Sequence, residues 1–99
     1  MGKRYSKAKA LKLIKVIVAT GSIIPTSHLR QRMREKNFDM QDVLCAIKNG
    51  NIHREAEPHP QSGRWIYSIE GKTIDGQKLR VEIDIGDDKD QAVILTGIK

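Results

Sequence analysis

At 99 residues the chain is expected to form one domain, and at that size folding removes only about 60–70% of the unfolded chain's accessible surface. With 38% hydrophobic and 30% charged residues, the composition excludes a disordered tail and a membrane-embedded chain, and the single cysteine, Cys45, excludes an intramolecular disulfide and a thiolate metal cluster. The net charge of +6 is uneven: residues 1–50 hold eleven Lys or Arg against three carboxylates, and residues 51–99 hold seven against nine. The basic half favours a polyanionic partner, with nucleic acid first and an anionic membrane surface second, over a charge that only aids solubility.

Cysteine usage sets the expected compartment as a reducing one, the cytoplasm. Basic residues ahead of Leu11 to Ala19 faintly resemble a secretory leader, but Lys12 and Lys15 interrupt the apolar run that such a leader needs. Met1-Gly2-Lys3-Arg4-Tyr5-Ser6 fits only the loosest acylation pattern. No window reaches the roughly 18 apolar residues of a spanning helix, so no membrane is expected among the partners.

In chain order, Tyr5 or Ser6 starts a first helix that runs to about Ala19. Ala10, Leu11, Leu13, Ile14, Ile17 and Val18 form its buried arc, and Lys9, Lys12 and Lys15 its basic one. Thr20-Gly21-Ser22 ends it, Ile23 and Ile24 re-enter the core, and Pro25 closes the connection. Thr26 or Ser27 caps a second helix that stops at Asn37, a residue tolerant of the left-handed conformation. Phe38 is a hydrophobic hinge. Asp39, with Asp42 as capping-box partner, opens a third helix whose stripe is Met40, Val43, Leu44 and Ile47, and Asn49-Gly50 closes it.

After Gly50 the apolar period changes from helical to alternating. A short first strand is expected over Ile52 to Ala56, before a Pro58-His59-Pro60 loop in which proline forbids regular pairing. Arg64 to about Ile74 reads as a strand with Trp65, Tyr67 and Ile69 on one face, and Asp75-Gly76 as a two-residue hairpin turn. Leu79, Val81, Ile83 and Ile85 alternate with Lys78, Arg80, Glu82 and Asp84 in the clearest strand of the chain, buried on one face. A turn over Gly86 to Asp90 leads to Ala92–Ile98, apolar nearly throughout and expected to be covered on both faces. The reading is an α+β domain over residues 1–99, with three N-terminal helices (about 5–49) followed by a four-stranded, mainly antiparallel sheet (about 51–98).

Chemistry centres on Ser27 to Asn37. At 100° per residue His28 and Arg32 share one side of that helix, with Leu29 and Met33 beside them, while Arg30 and Arg34 flank the stripe. His28, His53, His59 and Cys45 show no ligand spacing, and the carboxylates of Gly86 to Asp90 suit a solvated turn, so neither a metal nor a cofactor is expected. Phosphodiester chemistry needs none. Cleavage of RNA through its own 2′-hydroxyl requires a base, an acid and cations around the phosphoryl oxygens. His28 is the candidate acid or base, and Arg32 and Arg80 are candidate phosphate clamps. Tyr67 offers a hydroxyl or stacking face. Arg30, Arg34, Arg64, Lys78 and Lys12 supply further cations for RNA, and Trp65 a stacking platform. The bland alternatives are a capping histidine and a core tryptophan.

Ser27-x-x-x-x-Arg32-Met33 with His28 inside it, Asp42-Val43, Asn49-Gly50, Gly63-x-Trp65-x-Tyr67, Asp75-Gly76 and a closing strand ending near Thr96 resemble a family of small bacterial domains of unassigned function. That family is grouped with the BrnT and RelE type ribonuclease toxins, and the resemblance spans residues 6–98. It implies a RelE-like sheet backed by helices, metal-independent endoribonuclease activity on free or ribosome-bound mRNA, and a cognate antitoxin such as a zinc-ribbon protein. By motif position His28 and Arg32 match the family's His and Arg, and Trp65 and Tyr67 its aromatic strand. Lys36-Asn37 departs from the Arg-Gly common there. Two functions are therefore expected: a toxin-like RNA-binding protein that cleaves RNA, or a non-catalytic module binding RNA, the ribosome or an acidic protein. No DNA specificity is inferred.

Overall fold

The computed structural model describes residues 4–86 and 90–99. The acylation pattern at Met1-Gly2-Lys3 and the centre of the turn after Gly86 lie outside the described residues. Three helices, α1 (Lys7–Ala19), α2 (Ser27–Lys36) and α3 (Met40–Asn49), accompany five strands: β1 (Ile23–Pro25), β2 (Glu57–Pro58), β3 (Trp65–Lys72), β4 (Lys78–Ile85) and β5 (Ala92–Ile98). The expected α+β class and helix number hold. The sheet differs from expectation, being five-stranded and mixed in the order β1-β5-β4-β3-β2.

The additional strand is the segment read as a connection. Ile23, Ile24 and Pro25 run parallel to Ala92, Val93 and Ile94. Proline is tolerated there because β1 is an edge strand, where its missing N–H faces no neighbour. Ile52 to Ala56 is not a strand. Asn51 alone bridges to Glu70, and pairing resumes at Glu57–Pro58 against Ile66 and Trp65, so Pro58 also sits on an edge. Asp75-Gly76 belongs to a three-residue loop between Thr73 and Gln77. The Thr73 amide donates to the Gln77 carbonyl at 2.8 Å, and Gly76 takes a φ of 83°, which a side chain would strain.

Cross-strand pairing fixes which residues share a face. Tyr67 pairs with Ile83, Ile69 with Val81 and Gly71 with Leu79, and Val81 and Ile83 pair onward with Gly97 and Ile94 of β5. This face carries the buried side chains and receives the helices; Ala10, Ile14 and Ile17 of α1, Leu29 of α2 and Val43, Ala46 and Ile47 of α3 join it in one core. Strand β4 is buried on one face as expected. Strand β5 is not covered on both: Ala92, Ile94 and Gly97 are buried, whereas Val93, Leu95, Thr96 and Ile98 are half-buried on the open face or at the irregularity near Glu82/Ile83.

Each helix is held by a different device. Helix α3 has a full capping box, with the Asp39 carboxylate accepting from the Asp42 amide and the Asp42 carboxylate from the Asp39 amide. It approaches β3 so closely that a Cβ on Gly71 would collide with the Ala46 carbonyl oxygen. Helix α2 buries only Leu29, so its ends carry much of its attachment. The Thr26 hydroxyl accepts from the Leu29 amide and donates to the carbonyls of Leu95 and Ile94, at 2.8 and 3.1 Å. At the far end Asn37 adopts the left-handed conformation (φ 55°), and Lys99 Nζ donates to the carbonyls of Lys36 and Asn37. Phe38 then folds over Gly97, where a Cβ would meet its ring.

Candidate basic cavity on the open sheet face

The residues singled out from the sequence do not converge. His28 is exposed in the first turn of α2, and Arg32 is half-buried one turn on, 3.9 Å from Glu35. Both lie in the helical layer, because Leu29 and Phe38 pack against the same face of β5. Arg80 alternates with Leu79 and Val81 on β4 and therefore stands on the opposite, open face. Tyr67 points into the core, 2% exposed, and its hydroxyl accepts from the Tyr5 amide at 2.8 Å. Burial pushes the Tyr67 phenol above its ordinary value of 10.0, against the opposing effect of the Tyr5 hydrogen bond. The sheet thus separates Arg80 from Tyr67 and from the His28 and Arg32 pair, and the expected constellation is not assembled.

The other candidates are divided between structural contacts and exposed positions. Arg64 Nε donates to the Asp84 carboxylate at 2.7 Å and a second guanidinium nitrogen to the Ile85 carbonyl at 3.0 Å, tying the start of β3 to β4. Trp65 is half-buried, with the Arg4 guanidinium 5.4 Å from its ring centroid, so a cation already lies over the proposed stacking face. Arg30 and Arg34 are exposed beside a hollow floored by Met33, Phe38 and Met40. Lys12 is exposed on α1 beside Lys9, Leu13 and Val16.

Lys78 and Arg80, in contrast, are brought together with residues that the sequence did not place at a site. A cavity of about 860 Å³ at the β3–β4 hairpin end is lined by Lys72, Lys78, Arg80, Lys99, His53 and Glu70, with Cys45 and Asn49 from α3 and the apolar side chains of Ile74 and Ile98. The register explains the convergence. Asn51 pairs with Glu70, Glu70 with Arg80 and Arg80 with Ile98, which sets one row across the open face. Lys72 lies directly opposite Lys78 in the next row, a like-charge pairing that disfavours the bare hairpin. Asn49 fixes this end by donating to the Lys72 carbonyl and accepting from its amide, at 3.0 and 2.9 Å.

The charges of the cavity are only partly satisfied by the protein. Lys99 is engaged at the end of α2, and Arg80 has a 3.8 Å contact to Glu82 while its buried Nε has no hydrogen-bond partner among the described residues. Neither the Lys72 and Lys78 ammonium groups nor the Glu70 carboxylate forms an ion pair among the described residues. Chemically such an arrangement suits an anion: the cations Lys72, Lys78 and Arg80 line one concavity, with apolar surface to one side. No group of three or more His, Cys, Asp or Glu among the described residues is placed to hold a metal ion. No helix among them is long and apolar enough to cross a membrane.

Lys72 and Lys99 were missed in the sequence because neither belongs to a basic run. His53 and Glu70 were missed because the expected strand at Ile52 to Ala56 hid their proximity. The one readable signal was the Lys72 and Lys78 pair, symmetric about the Asp75-Gly76 turn. No curated protein and no solved structure matches the chain. The model of a family described as "Domain of unknown function (DUF4258)" matches residues 26–96, from the cap of α2 into β5, and leaves α1 and Lys99 outside the matched span. The chain belongs to the DUF4258 family.

Proposed function

We propose that the protein is an RNA-binding protein of the ribonuclease-toxin type, and that it takes the sugar-phosphate backbone of single-stranded RNA, free or on the ribosome, into the hairpin-end cavity. One observation carries the reading: Lys72, Lys78 and Arg80 converge on one concavity without enough carboxylate to neutralise them. Lys78 and Lys72 neutralise a phosphate as point charges, and Arg80 adds directed donors. The apolar side chains of Ile74 and Ile98 give the adjoining base or ribose a dry surface. The resemblance of its short motifs to a family of small bacterial domains grouped with the BrnT and RelE type toxins favours the same reading.

Titrating a fluorescent single-stranded RNA with the protein over a series of salt concentrations tests it. Affinity falls steeply with salt, and Lys78→Ala or Arg80→Ala each lowers the slope of log affinity against log salt by about 0.7. Binding indifferent to salt, or unchanged in both variants, refutes the assignment.

A second reading, that an acidic protein partner such as an antitoxin docks on α2, is favoured by Arg30 and Arg34. They stand one turn apart as like charges, with no acidic partner among the described residues, beside the apolar floor of Met33, Phe38 and Met40. Reversing both arginines to glutamate abolishes capture of such a partner and lowers RNA affinity only about two- to threefold.

A further inference from the structure

Strand β5 is more apolar than its place in the fold requires. A strand buried on both faces carries a nearly continuous apolar run, and Ala92-Val93-Ile94-Leu95 with Ile98 is such a run. The helices cover one face alone, where Ala92 and Ile94 are buried. Val93, Leu95 and Ile98 are half-buried away from it, and Ile24 of β1, paired with Val93, is 41% exposed beside them. None of these four joins the core or packs against it. The irregularity of β5 widens the band: Glu82 pairs with Thr96 and Ile83 with Ile94, so Leu95 is an extra residue set beside Thr96 opposite Glu82.

Next to this band, β4 shows an ordered series of charges. Its open face carries Lys78, Arg80, Glu82 and Asp84, two cations and then two carboxylates. The carboxylates that the basic cavity lacks thus stand at the other end of the same strand. Asp84 is held by Arg64 at 2.7 Å, whereas Glu82 has only its 3.8 Å contact to Arg80 among the described residues, with its side chain 28% exposed. A row that reads plus, plus, minus, minus is complementary to its own reverse, which is the condition for one patch to meet its copy across a two-fold axis. A polyanion laid along the whole row would be attracted by its first half and repelled by its second.

We propose that a second copy of the chain covers this face, with the two-fold axis lying across the strands between Arg80 and Glu82. Arg80 of each copy then faces the partner's Glu82, Lys78 faces the partner's Asp84, and β5 lies antiparallel over the partner's β5 with Leu95 and Ile98 in the contact. Strands about 4.8 Å apart that rise about 3.3 Å per residue make the face about 20 by 25 Å, which suits a weak, reversible pair rather than an obligate dimer. The pair covers Lys78 and Arg80. Resting on the RNA reading above, it competes with RNA for the same cations, and the acidic end of each copy closes the basic end of the other.

Sedimentation equilibrium of the full chain, from micromolar to millimolar concentration, tests the pair. Wild type passes from monomer to dimer mass. Arg80→Glu and Glu82→Arg each stay monomeric, because each sets like charges against its own copy. An equal mixture of the two forms a heterodimer of about wild-type strength, since the facing charges are again opposite in sign. Leu95→Gln alters no charge and weakens association about tenfold. Circular dichroism checks that each variant is folded, and Leu95→Gln carries the test if a reversed charge unfolds the strand.

Wild type monomeric at millimolar concentration, single charge variants that pair as wild type does, a mixture of folded variants that stays monomeric, or undiminished pairing of Leu95→Gln each overturn the pair. A short single-stranded RNA added to the dimer releases RNA-bound monomers. A dimer that binds RNA without dissociating overturns the occlusion, because Lys78 and Arg80 are then open in it. RNA bound by neither form removes the RNA reading, and the mixture of variants decides the pair independently.

Discussion

Helix α2 and the hairpin end of the sheet carry similar numbers of cations, but dispose them differently. On α2, Arg30 and Arg34 project from one side and Arg32 and Lys36 from the other, because residues two apart on a helix stand about 200° apart. Around the cavity, Lys72, Lys78 and Arg80 come from two paired strands and face the same volume, because alternate residues of paired strands share a face. A dense basic run in sequence therefore produces a dispersed charge, and widely spaced strand residues produce a focused one. Only the second arrangement lines a common cavity.

Replacing Leu29 by Ala separates the two roles most strongly. Leu29 is the only buried side chain of α2, and its truncation costs about 2–5 kcal/mol of stability, measurable in denaturant unfolding. The protein that remains folded binds RNA as before. A proportionate loss of affinity in the folded fraction would place the binding surface on the helix.

Charge reversal compares the regions directly. Lys78→Glu lowers affinity for single-stranded RNA about tenfold or more, whereas Arg30→Glu together with Arg34→Glu lowers it only about two- to threefold through the long-range field. Equal losses would erase the distinction. On the structural side, Asp39→Ala breaks the capping box of α3 and costs about 1 kcal/mol, with no change in RNA affinity beyond the loss of folded protein.

The smallest effect concerns Tyr67, which the sequence grouped with the catalytic candidates. Burial raises its folded pKa above the unfolded value of 10.0, so the unfolded chain releases this proton first. Its contribution is fully present below pH 10 and is lost as pH rises from there through the folded value. Unfolding midpoints followed from pH 9 to 11 fall in wild type and fall less in Tyr67→Phe. Equal slopes would mean that the hydroxyl is accessible and open to a role at a site.

Much of the fold was legible because its determinants are local. Thr26, Asn37 and the pair Asp39 with Asp42 mark helix ends through hydrogen bonds to their own neighbours, and the four apolar residues of β4 mark a one-sided strand. The errors came where a partner distant in sequence decides. Ile23–Pro25 is a strand only because β5 lies beside it, and Ile52 is buried without belonging to any strand. The site suffered in the same way. His28 and Arg32 do share a helix side, but which face of the sheet that helix covers is set by Leu29 and Phe38 packing over Gly97. Lys78 and Arg80 were identified for their charge and their strand. Their true neighbours, Lys72, Glu70 and His53, follow from the register of three chain segments, which no single segment encodes.

The central claim, that RNA occupies the open face of the sheet, is tested most directly by mapping amide chemical shifts of the labelled protein during titration with a short single-stranded RNA. Shifts concentrated at Asn51 to His53, Glu70 to Lys72, Lys78 to Arg80 and Ile98 to Lys99, with those of Arg30 to Arg34 nearly unmoved, are the predicted result. Shifts concentrated on Ser27 to Lys36, with the hairpin end silent, would contradict the account and return the function to the arginine helix.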